Sequence, residues 1–547
     1  MNYGFVIDNR KCIGCHACTV ACKAEHDVPV GVNRTWVKQT EKGTFPNTRR
    51  VFSVLRCNHC EVASCVTICP VEALYTREDG IVDFNNNRCI GCKSCMQACP
   101  YDALYIDPET RTAAKCNYCA HRVDIGLEPA CVNVCPEHAI ISGDLDNPDT
   151  EIAQLIGREQ VTVRKPEKGN VPNLYYINGD EASITPNETV RDEQYFWNSQ
   201  QRGVGHFAKY AEKLAAQNDP FDLTKMLVEN NNDLAMTYSG DSDCSNGSCD
   251  SPTDKALQKS DPRRIYDTPD KGILWGWEVS GYVLTKAISS GVFLTTFMAV
   301  AFNITSVSDF NFWAMIALSL VFLGATGILL IMDLDQPKRF AYVLLRPQWN
   351  SWLVKGGYSI SIFGGLVTLL ALFYFFELDL ALQVTFWAGA FFALVVAGYT
   401  AFLFAQAKGR DFWQSPTLVF HMLAHAFMAG GAALAILNVI VPSSAGYINY
   451  LEFVMLGSLI FNLFIILVEL TITHPTEDAK KAAHMITHGR YKRLFWTGSI
   501  LAGNVLPILL LLSGKPLLSG VAGVLILIGI YFTEKIWIEA PQRIPLS

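Results

Sequence analysis

From residue 271 onward the chain is a series of long apolar runs parted by short polar stretches. Eight runs reach the roughly 20 residues that a helix needs to cross a bilayer core. They lie near 275–301, 312–333, 352–376, 380–405, 414–440, 448–472, 494–513 and 517–538, and they predict an all-α bundle of eight transmembrane helices. Residues 146–270 are mostly polar. Within them VPNLYYI (171–177) reads as a strand, VRDEQYFWNSQQRGVGHFAKYAEKLAAQ (190–217) as a surface helix and DSDCSNGSCDSPTDK (241–255) as a low-complexity stretch too polar to fold alone. The first 145 residues hold the short strand-like pieces GFVID, VFSVL, GIVDF and TAAKC, each ahead of a cysteine group. Short apolar stretches (VEALY, YDALYI, EHAII) follow such groups. This repeated unit has little helical pattern and too few apolar residues for a core, so it needs a staple. The predicted units are residues 1–180, a linker over 181–270 and a membrane unit over 271–547.

Composition sharpens this division. A chain of 547 residues is too long for one core. Sixteen of its 18 cysteines fall between Cys12 and Cys135, and the remaining two, Cys244 and Cys249, lie in the linker. That linker pair reads either as two solvated thiols or as a redox-sensitive or metal-catching pair. The net charge of −7 carries no nucleic-acid signal. The start, MNYGFVIDNRKC, shows neither an apolar signal core nor a twin arginine, so the cysteine-rich unit is expected to begin in the cytosol. Thiols stay reduced there, and clustered cysteines then read as metal ligands rather than disulfides. Eight spans put both chain ends on one side. Loops on that side carry Lys338, Arg339, Arg346, Lys408, Arg410, Lys480, Lys481, Arg490, Lys492 and Arg493, whereas the opposite loops carry only Lys515. This bias predicts a cytoplasmic face for the cysteine-rich unit and a bacterial-type inner (plasma) membrane.

The cysteines form four groups. Cys12, Cys15, Cys18 and Cys22 are spaced C-x2-C-x2-C-x3-C, and Cys57, Cys60, Cys65 and Cys69 are spaced C-x2-C-x4-C-x3-C-P. Cys89, Cys92, Cys95 and Cys99 follow C-x2-C-x2-C-x3-C-P, and Cys116, Cys119, Cys131 and Cys135 follow C-x2-C-x11-C-x3-C-P. A compact loop sets three thiolates on three irons of one cube, and the fourth, followed by Pro, serves the other cube of a pair. Zinc uses paired C-x2-C, but it needs no third cysteine three residues on and does not predict a repeated x3-C-P ending. Sixteen cysteines supply four [4Fe–4S] clusters with none spare.

Residues 4–178, through KCIGCHACTVACK, RCNHCEVASCVTICPVEAL, RCIGCKSCMQACPYDA and KCNYCAHRVDIGLEPACVNVCP, resemble the NrfC-like iron–sulfur subunit of the dimethyl sulfoxide reductase family. The resemblance implies an α+β ferredoxin-like domain with two paired bis-[4Fe–4S] modules. It also implies exchanged fourth ligands: Cys12, Cys15, Cys18 and Cys135 on one cluster, and Cys116, Cys119, Cys131 and Cys22 on its pair. A third takes Cys57, Cys60, Cys65 and Cys99, and the last takes Cys89, Cys92, Cys95 and Cys69. A separate molybdopterin-containing catalytic subunit is the implied partner, since the chain has no Rossmann fingerprint, P-loop or molybdopterin-binding unit of its own.

Ionisable residues inside a bilayer are functional candidates because they are costly to place there. Glu278 opens the first run, Asp333 ends the second, His421 and His425 lie one turn apart in the fifth, and Glu469 is near the end of the sixth. Tyr399 and the deeper Lys286 complete the set. Glu278, Asp333, His421 and His425 are the expected quinone and proton site, since quinone chemistry moves two protons with its electrons and imidazole and carboxylate groups suit that role. The alternative use of Glu278, Asp333 and Glu469 is to cap helices and grip the soluble unit. No haem is expected, because two histidines on one helix cannot sandwich it. Residues 272–540, through DLDQPKRFAYVLLRPQWNSWLVKGGY and GRDFWQSP, resemble the NrfD/polysulfide reductase membrane subunit, an eight-helix quinone-reactive family. Asp333, Pro337, Arg339, Phe340, Arg346, Pro347, Ser351 and Trp352 match its loop motif. The expected function is electron transfer between the membrane quinone pool and the molybdopterin subunit; the alternative is an ion-translocating redox module.

Overall fold

The structure, a computed structural model, describes residues 1–44, 47–189, 262–472 and 474–547. The surface helix expected at 190–217 and the pair Cys244 and Cys249 lie outside the described residues.

The strands are β1 (Tyr3–Asp8), β2 (Thr35–Thr44), β3 (Asn47–Arg56), β4 (Leu74–Thr76), β5 (Val82–Phe84), β6 (Leu104–Ile106), β7 (Ala113–Lys115), β8 (Ile140–Asp144), β9 (Val161–Thr162), β10 (Leu174–Ile177) and β11 (Arg263–Tyr266). One sheet runs β8-β1-β10-β9, with β1 parallel to β10 and antiparallel to β8. Alternation decides its faces. Phe5 and Ile7 of β1 pack with Trp36, Tyr118 and Tyr176, whereas Val6 between them packs with Ile141, Ile152 and Ile177. A second sheet runs β11-β2-β3. The polar strand β2 (TWVKQTEKGT) was not foreseen from sequence, because its period-2 apolar signal is almost absent.

The middle two cysteine groups are built alike. Each places a five-residue helix, Ser64–Ile68 or Ser94–Ala98, before its Cys-Pro, and follows it with a small hairpin, β4–β5 or β6–β7. Cys69 and Cys99 end those helices in extended backbone, as a residue before proline prefers. Both ends of the expected 181–270 linker pack onto this unit. A helical turn spans Glu181–Ile184, and β11 pairs with β2.

Among the described residues, eight helices are long and apolar enough to cross a membrane: α1 (Trp277–Ala301), α2 (Asp309–Met332), α3 (Trp352–Phe375), α4 (Asp379–Gln406), α5 (Leu418–Ile440), α6 (Ala445–Thr471), α7 (Leu494–Leu511) and α8 (Pro516–Gln542). The fifth starts at Leu418 rather than near 414, because Pro416 bars Ser415 from helix and Asp411–Gln414 forms a separate turn. An amphipathic helix, Glu477–Thr487, connects α6 to α7. The most enclosed span is α1, which meets α5 at Gly291 and Gly430.

The two units share one apolar interior. Cys57, Cys69, Cys89 and Cys99 belong to the same buried cluster as Trp275, Phe404, Trp413 and Trp537. Polar bonds stitch its rim. Arg339 Nη1 donates to the carbonyls of Asn86 (2.7 Å) and Cys89 (3.0 Å), and Ser351 Oγ donates to that of Ile68 (2.7 Å). Arg410 Nε donates to Gln97 Oε1 (2.8 Å), whose Nε2 donates to Gln542 Oε1 (2.7 Å).

Candidate functional site

All sixteen cysteines from Cys12 to Cys135 carry free thiols, and the fold gathers them into four quartets. Cys12, Cys15, Cys18 and Cys135 line one cavity, and Cys69, Cys89, Cys92 and Cys95 line another. Cys60 is grouped with Cys57, Cys65 and Cys99, and Cys22 with Cys116, Cys119 and Cys131. Each quartet thus takes three thiols from one sequence group and the fourth from another. Left-handed residues make the loops tight enough: Gly14 and His16 in the first, Gly91 and Lys93 in the third. Backbone N–H groups point at sulfur, with Ala73 N donating to Cys69 Sγ and Ala139 N to Cys135 Sγ, both at 3.2 Å.

The chemistry of the quartets fits iron–sulfur cubes. The donors are soft thiols in apolar surroundings. Burial pushes the Cys92 and Cys116 thiols up to about 12, so they ionise near neutral pH only where a metal displaces the proton. Arg56 is fully buried among Cys18, Cys116 and Cys131, and its Nε and Nη2 have no hydrogen-bond partner among the described residues. Such donors match the anionic surface of a cube.

The membrane candidates fall into two places. Asp333 and Glu278 sit where the units meet. Lys93, next to Cys92, donates to the Asp333 carbonyl (2.9 Å) and pairs with the Asp333 and Asp335 carboxylates at 3.8 and 3.5 Å. Asp333 lies just past α2; burial pushes its carboxyl up to about 7, with Lys93 opposing and Glu278 and Asp335 adding to the rise. Trp275 Nε1 donates to the Cys92 carbonyl at 3.2 Å beside them.

His421 and His425 lie elsewhere, fully buried, with ring centroids 4.3 Å apart. His421 Nδ1 is 3.1 Å from Glu469 Oε2, and Glu469 also accepts from Thr417 Oγ1 (2.8 Å) and Trp537 Nε1 (3.0 Å). His425 Nδ1 is 2.7 Å from Glu534 Oε1. Among the described residues, the Nε2 atoms of both rings and Glu534 Oε2 have no hydrogen-bond partner. One ligand atom from each of His421, His425 and Glu534 lies within 4.8 Å of the others, a set able to share a proton or hold a cation. Lys286 Nζ donates to the Ala397 carbonyl (3.1 Å) and lies 4.8 Å from the Tyr399 ring centre. Tyr282 lies between the two places, within electrostatic reach of Asp333, Tyr399 and Glu534. Sequence reasoning missed Glu534, Trp537 and Lys93. The available signal was Glu534 itself, a carboxylate inside the last apolar run.

Sixteen thiols in a compact unit seated on eight spanning helices define a multi-pass, membrane-anchored iron–sulfur protein. Comparison with known families agrees. Two 4Fe-4S dicluster domain models match residues 11–74 and 49–145, and the model for polysulphide reductase, NrfD, matches residues 268–533. The sequence is 46% identical over 188 residues to a tetrathionate reductase subunit of Salmonella typhimurium, covering 34% of this protein and 75% of that one. It is 42% identical over 176 residues to the thiosulfate reductase electron transfer subunit PhsB of Salmonella typhi, covering 32% and 91%. With protein NrfC of Escherichia coli K12 it shares 41% over 180 residues, covering 32% and 81%. The protein belongs to this family of iron–sulfur electron-transfer subunits, here fused to an NrfD-type membrane subunit.

Proposed function

We propose that the chain holds four [4Fe–4S] clusters, one per thiol quartet, and links the membrane quinone pool to a separate molybdopterin-type oxidoreductase subunit. When bound, the clusters supply a one-electron relay between the two. The observation that carries this reading is the seat of the Cys69/Cys89/Cys92/Cys95 quartet on the membrane unit, with Lys93 joining it to Asp333. Asp333, poised near neutrality, exchanges a proton where the wire meets the bilayer, with Glu278 beside it. Burial from solvent and a fixed carboxylate partner orient each ring of the His421–Glu469 and His425–Glu534 pairs, which we assign to proton handling deeper in the bundle. The loop-charge bias favours a cytoplasmic face for the iron–sulfur unit, in a bacterial-type inner membrane. Some of that bias has a second use, since Arg339 and Arg410 hold the cluster unit directly.

The test is cluster quantitation in the purified full chain together with recovery of its partner. Four cluster signals and a co-purifying molybdopterin-containing chain are expected. A chain with fewer clusters, or a partner without molybdopterin, would overturn the respective half of the proposal.

One observation favours ion translocation as a second reading. Beyond Lys286, which lies near mid-bundle, the far half of the bundle holds Glu452, which accepts from Ser519 Oγ. Proton uptake by sealed vesicles during quinol oxidation separates a plain quinone site from a pump.

A further inference from the structure

Arg56 ends β3 and immediately precedes Cys57, a member of one quartet. Its side chain nevertheless reaches two others. Nη1 donates to Cys131 Sγ at 3.0 Å, and the guanidinium carbon lies 4.6 Å from the centre of the Phe5 ring. Cys116 and Cys18 are also within its electrostatic reach. The side chain is fully buried, and among the described residues no carboxylate forms an ion pair with it. Its Nε and Nη2 donors have no hydrogen-bond partner among them either. A guanidinium is never neutral at ordinary pH, and a charge buried without a counter-ion is strongly destabilising. The fold therefore retains a costly cation at one place, wedged between the Cys22/Cys116/Cys119/Cys131 quartet and the Cys12/Cys15/Cys18/Cys135 quartet.

We propose that Arg56 sets the reduction potential of the cluster at Cys22, Cys116, Cys119 and Cys131, holding it above its neighbours in the wire. A cube with four thiolates is anionic. Accepting one electron adds one negative charge with no bond made or broken, and a fixed cation hydrogen-bonded to a ligand sulfur stabilises the reduced form more than the oxidised form. Hydrogen bonds to sulfur and local charge are established controls of cluster potential. Arg56 touches the ligands rather than a substrate, so it is a positioning and tuning residue. A second buried cation nearby, Lys115, donates to the carbonyls of Val82 and Cys116 rather than to a ligand sulfur, and its charge bears on Cys60 and Cys65 of the neighbouring quartet. The inference rests on the cluster assignment proposed above.

The test is a redox titration of the cluster-replete full chain, followed by electron paramagnetic resonance, comparing wild type with Arg56→Gln and Arg56→Lys. In Arg56→Gln the reduced-to-oxidised ratio of one cluster at fixed potential should fall at least tenfold, equal to about 59 mV for one electron. The Cys69/Cys89/Cys92/Cys95 cluster serves as internal control and should not move. Arg56→Lys keeps the charge and should restore most of the shift. Unchanged midpoints, or equal shifts in every cluster, would overturn the proposal. If Arg56→Gln fails to assemble clusters, [15N]arginine labelling of the wild type decides. A 15N hyperfine coupling on one reduced cluster is expected, and its absence overturns the assignment. Iron content and signal number report separately on the cluster reading itself.

Discussion

The seam between α1 and α5 offers the sharpest test of the bundle. A Cβ on Gly430 would lie 2.1 Å from the Gly291 carbonyl carbon, 2.2 Å from its oxygen and 2.6 Å from Val292 N. In the other direction, a Cβ on Gly291 would meet the Ala426 carbonyl oxygen and the Gly430 N. All of these are backbone atoms, so no side chain can swing aside. The helices themselves must part, and small residues at membrane seams exist to permit such approaches. Overpacking of this kind costs about 1–3 kcal/mol, and a clash against backbone belongs at the upper end. A cost near that end lowers the unfolding midpoint by roughly 5–10 °C for a bundle of this size. Gly430 lies just over a turn beyond His425 and Gly291 just over a turn beyond Lys286, so the displacement also disturbs both buried groups. The assay is helix melting of Gly430→Ala in detergent by circular dichroism, with Gly457→Ala as control. Gly457 lies in α6 with open space where its Cβ would go, so the control gains helix propensity without a clash. A Gly430→Ala protein that melts with or above the control would refute the close approach.

Three further outcomes follow from the same geometry. Cys69→Ser should damage the cluster shared with Cys89, Cys92 and Cys95 while leaving the one at Cys57, Cys60, Cys65 and Cys99 intact; loss of the latter instead would mean that the fourth ligands are not exchanged. With its carboxyl raised to about 7, Asp333 is protonated below that pH and a base above it, so quinol-driven cluster reduction should accelerate as pH rises through about 7. Asp333→Asn should flatten that limb without changing reduction by dithionite, and an unchanged profile would remove Asp333 from the proton path. Glu534→Gln removes the only carboxylate bonded to His425 among the described residues and should slow quinol-driven turnover about 10-fold or more with the clusters intact, as loss of a proton-handling group does; turnover within twofold of wild type would confine Glu534 to packing.

The cysteine spacing and the eight apolar runs were legible in sequence because each rests on one strong local rule: thiolate count per cube and helix length per bilayer. Strand β1 and the hairpin strand β3 were legible through alternation, which β2 lacks. The membrane site was read only in part. His421, His425 and Glu469 stood out as ionisable residues in apolar runs, but their pairing depends on how α5, α6 and α8 pack, which periodicity does not specify. Lys93 sat unnoticed inside a cysteine motif, where its partner Asp333 lies 240 positions away. Contact between the units was legible only in outline, through Glu278, Asp333 and Glu469 as candidates to grip the soluble unit, because the individual bonds depend on how the units dock. Arg339 and Arg410, which count as topology charges in sequence, are bonded to the cluster unit in the fold.

The central claim is that the clusters exchange electrons with quinone through this protein. Anaerobic mixing of the purified, cluster-replete full chain with a quinol analogue, followed by cluster absorbance and electron paramagnetic resonance, tests it most directly. Quinol is expected to reduce the higher-potential clusters on the timescale of turnover. Clusters that dithionite reduces but quinol leaves oxidised, in protein whose helices and iron content are intact, would contradict it.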